Sequence, residues 1–332
     1  MGEEELPLRE AAQRFGVSLA RLRRAAWDGR LAARFLGHQY LVTASEVERF
    51  LREKGHQPAE AKRSTLGEGA AMTRIIAVAV PKGGTGKTTT ALNLGAAWAE
   101  QGKRVLLVDF DPQGSLTLAL GLRANELEHT IYSALKYFLA TFESQIELAI
   151  RPTDAGVDLV PANIRLNLAN EELAVAPQRE LVLQKLLAPI VPRYDAILID
   201  TLPYLGILVV NALVAAQEVI IPLQADYLAT ESVTLMLQQI QYMRRSGLNP
   251  CLEVCGILLT QVKGRTVLNR QFIDFARQEL GSRVPVFERM ITDSIQFGES
   301  QAQHLSILQY SPNREGARAY RALAEEVWRA TS

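Results

Sequence analysis

Residues 75 to 90 constrain this chain more than any other stretch. Ile75 to Val80 is a short apolar run that stops at Pro81. Lys82-Gly83-Gly84-Thr85-Gly86-Lys87-Thr88-Thr89 follows, and then Ala91, Leu92, Leu94, Ala97 and Trp98 return at helical spacing. Strand, glycine-rich turn, helix is the context in which a phosphate-binding loop works. Gly83, Gly84 and Gly86 let the backbone approach an anion closely, so that several N–H groups and the positive helix end point at it. In such a loop Lys87 reaches the β- and γ-phosphates of a nucleotide, and the Thr88 hydroxyl sits on Mg²⁺. The usual pattern opens on Gly; here Pro81 holds that position and a second lysine, Lys82, comes after it.

The run from Lys82 to Thr89 resembles the deviant Walker A loop of the ParA/MinD ATPases. That resemblance implies ATP and Mg²⁺ as ligands bound through residues 82–89. It also implies an ATP-sandwich homodimer, in which Lys82 crosses to the partner's nucleotide and is counted with Lys87 and Asp111 as catalytic.

Length and charge bound the rest. At 332 residues the chain is long for one average domain and suggests two. Lys plus Arg equals Asp plus Glu at 36 each, so any nucleic-acid surface must be local. Cys251 and Cys255 are the only cysteines, which suits a reducing cytosol rather than a disulfide framework. The four histidines are scattered, and no apolar run reaches the ~18 residues of a membrane span.

From the N-terminus, Leu8 to Phe15 reads as a short helix and Ser18 as the cap of a second, Leu19 to Asp28. Phe35 to Val42 reads as a hairpin turning at Gly37-His38, and Thr43-Ala44-Ser45-Glu46 as a capping box opening a third helix. Helix, turn, helix, hairpin, helix resembles the winged helix-turn-helix of excisionases and the MerR family. Residues 6–35 hold seven arginines against Glu10 and Asp28. Arg21, Arg23 and Arg24 lie on the helix that would enter a major groove, and so are candidate DNA contacts. This module is assigned residues 1–52. Residues 53–71 are polar, with Gly55, Pro58, Gly67 and Gly69, and read as a flexible linker. Met72 restarts the chain like the N-terminus of a free ATPase domain spanning 72–332.

Two further apolar runs end in acids. Val105 to Val108 leads into Asp109-Phe110-Asp111-Pro112-Gln113-Gly114, and Ala196 to Ile199 leads into Asp200-Thr201. Carboxylates at strand C-terminal ends lie where α/β sheets bind ligand. Asp200 is the Walker B candidate on the Mg²⁺ shell. The 109–114 run matches the family's D-x-D-P-Q-G motif; the resemblance gives Asp111 the attacking water and Asp109 a share in ordering the metal shell. The family usually continues Asp-x-Pro-Pro after its Walker B acid, where this chain has Leu202 and Tyr204 around Pro203. Glu171, Glu172, Arg179 and Glu180 read as solvated helix faces.

Further strands are expected at 157–160, 219–223 and 254–260, with a long helix over 232–245. Alternation of strand and helix on this scale argues a doubly wound, mostly parallel α/β sheet. The family resemblance runs from about Arg74 to the end. It places Thr260, Gln261, Thr292 and Asp293 near the adenine, and Lys263, Arg265 and Arg270 on a DNA surface. The C-terminal helix is poor in bulky apolar residues, unlike the membrane-binding tail of MinD relatives. The expected protein is therefore a cytoplasmic, nucleoid-associated partition ATPase. Its partners would be DNA, a ParB-like or other cargo adaptor and a second copy of itself, with no membrane. The rival reading is an ATP-switched transcriptional regulator acting through residues 6–51.

Overall fold

A computed structural model describes residues 5–15, 22, 31–36, 39–53, 73–226, 229–263 and 267–330. Of the expected helix over 19–28 only Leu22, which is helical, is described; Arg21, Arg23 and Arg24, the turn at Gly37-His38, residues 54–71 of the expected linker, Met72 and Arg265 lie outside these, and Glu53, the first expected linker residue, closes a helix instead. The chain divides into two compact units, 1–70 and 71–332.

In the first unit β1 (Glu5–Pro7) pairs antiparallel with β3 (Gln39–Thr43), which pairs antiparallel with β2 (Arg34–Leu36). Sequence reading missed β1, because three residues ending in proline carry no period; the strand exists through its partner. Helices α1 (Leu8–Arg14) and α2 (Ala44–Glu53) complete the described part. Leu6, Leu8, Ala11, Leu22, Leu31, Val42, Val47 and Phe50 form its core. The Thr43 hydroxyl caps α2 by accepting from Glu46 N at 3.4 Å, whereas the Glu46 carboxylate pairs with Arg49 at 2.7 Å.

The second unit is built on a seven-stranded sheet in the order β10-β9-β4-β8-β5-β7-β6. The strands are β4 (Arg74–Val78), β5 (Val105–Phe110), β6 (Arg151–Pro152), β7 (Asp158–Val160), β8 (Ala196–Thr201), β9 (Glu218–Gln224) and β10 (Glu253–Thr260). Every pairing is parallel except β6 with β7. Ile75, Ala77, Leu106, Val108, Ile197 and Ile199 join one core; Ile76, Val78, Val105, Leu107, Ala196 and Leu198 join another. A sheet buried on both faces needs apolar residues at every position, which is why these strands read as unbroken runs. Each fully buried Leu or Ile contributes about 1.5–3 kcal/mol relative to exposure.

Helix α3 (Lys87–Glu100) follows the glycine turn and is buried along most of its length. It is held on one side by β5 and β8 and on another by the C-terminal helix, Glu315–Arg329. That last helix buries Ala317, Tyr320, Leu323, Ala324 and Val327, and Trp98 Nε1 donates to the Ala324 carbonyl at 3.0 Å. Its apolar stripe is thus used inside the molecule. Among the described residues no helix is long and apolar enough to cross a membrane.

Three local readings are refined. Strand β5 continues through Asp109 and Phe110, so Asp109 sits inside the sheet rather than beyond it. Leu202, which replaces a proline, is 1% exposed and packs in the core, while Tyr204 is half exposed. Glu172 is not simply solvated: it accepts from the Tyr132 hydroxyl at 2.9 Å.

Candidate functional site

Four chain segments meet at the C-terminal ends of the central strands. The first is the glycine loop between β4 and α3. Gly84 and Gly86 have φ of 72° and 86°, the left-handed region that an L side chain adopts only with strain. Gly86 is the N-cap of α3 and makes no side-chain cap bond. Lys87 is 7% exposed, and its Nζ donates to the Lys82 carbonyl at 2.8 Å. Burial lowers its pKa, against the opposing charges of Asp200 and Asp111.

The second segment is the Walker B strand. Asp200 is completely buried, and neither carboxylate oxygen accepts a hydrogen bond. Burial raises its pKa well above the usual carboxylate range, and the adjacent Asp109 adds to this; the Thr88 hydroxyl, which falls short of hydrogen-bond geometry, and the Lys87 charge pull the other way. The next residue, Thr201, donates its hydroxyl to the Val78 carbonyl at 2.9 Å, locking β8 to the strand that carries the loop. Two orphaned buried oxygens suit the water shell of a Mg²⁺ ion, which keeps several waters and takes one or two protein groups besides phosphate.

The third segment is the loop after β5. Asp109 lies in register with Asp200. Its oxygens accept from Thr117 N (2.8 Å), the Thr117 hydroxyl (2.7 Å) and Asp111 N (3.3 Å), so within this structure it anchors the loop that follows. Burial pushes its pKa up to about 6. Asp111 is half-buried, and its Oδ1 accepts from Gln113 N at 2.9 Å. Gly114 has φ 64°, and a Cβ there would fall 2.9 Å from the Ala162 carbonyl, so the loop presses against the 162–163 segment.

The fourth segment follows β10. The Thr260 hydroxyl donates to the Thr85 carbonyl at 2.8 Å, and Gln261 Nε2 donates to the Gly84 carbonyl. Thr292 bridges to Val262, and Asp293 N donates to the Val262 carbonyl at 3.0 Å. The four residues expected around the adenine therefore form one contiguous patch, and two of them reach the phosphate loop. Lys263 and Arg270 are exposed.

Sequence reading missed three side chains here. Thr117 links Asp109 to the Ala162 amide, which donates to its hydroxyl at 2.9 Å. Gln301 Nε2 donates to the Thr89 hydroxyl at 3.1 Å. Asp226 lies 3.6 Å from the Lys82 ammonium. Only Asp226 had a usable signal: it comes two residues after the end of β9, at a strand C-terminal end.

Comparison with known proteins identifies the relatives of this chain. A family model described as "AAA domain" matches residues 73–254, and one described as "Helix-turn-helix domain" matches 6–55. The chromosome-partitioning ATPase Soj of Thermus thermophilus is 42% identical over 259 residues, covering 77% of this chain and 96% of Soj. Among solved structures, cobyrinic acid a,c-diamide synthase from Mycobacterium smegmatis with bound ADP and magnesium superposes with a TM-score of 0.67 at 35% identity, covering 79% of this chain and 97% of that one. The septum site-determining protein MinD of Pyrococcus horikoshii with Mg-ADP gives 0.61 at 26% identity, covering 77% and 96%.

Proposed function

This chain belongs to the ParA/MinD family of P-loop ATPases, with an N-terminal helix-turn-helix domain, and on that premise we propose that it is a DNA-partitioning ATPase. It is an ATP hydrolase that uses Mg²⁺. In the reading we favour, ATP drives a sandwich homodimer in the cytoplasm, the dimer coats nucleoid DNA, and a ParB-like or other adaptor on the cargo stimulates hydrolysis and release.

The chain's residues divide the work. Gly83 to Thr89 hold the phosphates through backbone N–H groups, with Lys87 supplying charge. Thr88 and Asp200 hold the Mg²⁺, and Asp109 adds negative charge beside Asp200. Bound Mg²⁺ draws off charge from the phosphate oxygens. Asp111 orients the attacking water, its carboxylate fixed by the Gln113 amide. Thr260, Gln261, Thr292 and Asp293 wall the purine side. Lys263, Arg265 and Arg270 contact DNA phosphates.

One observation carries the dimer. The Lys87 ammonium already takes the Lys82 carbonyl, while the Lys82 ammonium sits at the partly exposed edge beside Asp226. In the proposed sandwich, a lysine at that edge would face the second protomer's phosphates. The test is binding to a random duplex, apo and with ADP or ATP-Mg²⁺, over a salt series. Binding that needs ATP, weakens steeply with salt, disappears in Lys82→Ala and survives removal of residues 1–71 is the expected result.

The helix-turn-helix match over 6–55 favours a second reading, an operator-binding regulator switched by ATP. Binding that ignores nucleotide and vanishes with the truncation would establish that reading and sink the first.

A further inference from the structure

The side chains of Thr260 and Gln261 are spent on the phosphate loop. Two consecutive loop carbonyls, those of Gly84 and Thr85, accept from two consecutive residues at the end of β10. A peptide group is planar and trans, so its N–H points opposite its C=O. Pinning the Gly84 carbonyl therefore fixes the direction of the Thr85 N–H, and pinning the Thr85 carbonyl fixes that of Gly86. Those are two of the donors a phosphate cradle uses.

The backbone around Gln261 supports the same assignment. Its φ is 51°, one of four left-handed values at non-glycine residues among those described. A glutamine held there is strained, and such strain persists only where the surroundings over-determine it. The surroundings here are specific. Val262 N donates to the Ile291 carbonyl at 3.1 Å, and Asp293 N returns a bond to Val262. Helix Ile295–Ala302 starts just beyond, capped by Ser294, and carries Gln301 to the Thr89 hydroxyl on the first turn of α3. Further on, Ile307 N donates to Asn93 Oδ1 at 2.7 Å. Residues 260–262 and 291–307 thus clasp the loop at Gly84 and Thr85 and its helix at Thr89 and Asn93.

We infer that Thr260 and Gln261 are positioning residues for the phosphate loop, presetting the Thr85 and Gly86 amides toward the phosphates, and are not merely part of a purine wall. This rests on the reading of the loop as an ATP site.

A ligand without a base separates the two roles. Binding of Mg-ATP and of inorganic tripolyphosphate is measured on the full chain and on Thr260→Val, Thr260→Ser and Gln261→Met, each shown by a cooperative thermal melt to be folded at the assay temperature. Positioning predicts that Thr260→Val and Gln261→Met weaken both ligands alike, by about 3- to 10-fold each, the size of one hydrogen bond. Thr260→Ser, which keeps the hydroxyl, binds as wild type. Loss of ATP affinity with tripolyphosphate unaffected would overturn the inference in favour of a purine contact. Equal loss in Thr260→Ser and Thr260→Val would overturn it in favour of packing. A wild-type chain that binds neither ligand would instead overturn the ATP reading underneath.

Discussion

Asp109 and Asp200 stand opposite each other on neighbouring parallel strands, both completely buried and directly in register. Asp109 accepts three hydrogen bonds from Asp111 and Thr117 just after it, whereas Asp200 accepts none. Two carboxylates of such different environment sharing one end of a sheet divide naturally into an anchor and a ligand-facing acid.

The first consequence is a pH dependence of apo stability. The folded-state pKa of Asp109, about 6, lies above its unfolded value of 3.8. Folding therefore favours the protonated carboxyl. The contribution is complete below about pH 4 and is lost as pH rises through 6, because the unfolded chain gives up that proton first. Over this window it amounts to roughly 2–3 kcal/mol. Denaturant unfolding of wild type against Asp109→Asn from pH 4 to 7 should show the wild-type curve falling relative to the variant. Parallel curves would mean the group titrates normally.

Removing the other charge separates stability from activity. Asp200→Asn removes a buried carboxyl that accepts no hydrogen bond, at the cost of one charge facing Lys87, and where desolvation outweighs that charge the apo protein should melt about 2–4 °C higher for each kcal/mol recovered. Mg²⁺-dependent hydrolysis should fall by at least about 100-fold, since several kcal/mol of charge stabilisation pass through that group. Paired melting and phosphate-release assays check this. Retained hydrolysis would remove Asp200 from the metal site.

Thr85 offers a test inside the loop itself. Its hydroxyl is buried without a hydrogen-bond partner. Thr85→Val keeps the shape and removes the orphaned group, so apo stability should rise by about 1–2 kcal/mol with the loop backbone unchanged. A destabilised variant would mean that the hydroxyl has a partner, such as a bound water.

The phosphate loop, the strand-end acids and six of the seven strands of the second unit's sheet were legible in the residues, because each rests on local chemistry; the two-residue β6 was not. Glycines at left-handed turns and unbroken apolar runs follow from what the backbone and a two-sided core permit, and two of those runs end in a carboxylate. The arginines of the first unit were equally visible, but β1 was not, since a three-residue strand exists only through its partner. Tertiary structure alone decided that β4 lies between β8 and β9, that Asp109 faces Asp200, and that Thr117, Gln301 and Asp226 join the site. It also turned the side chains of Thr260 and Gln261 onto the Gly84 and Thr85 carbonyls. The physical reason is common to all of these. Strand register and side-chain hydrogen bonds between residues far apart in sequence are fixed by packing, which has no local periodicity from which it could be read.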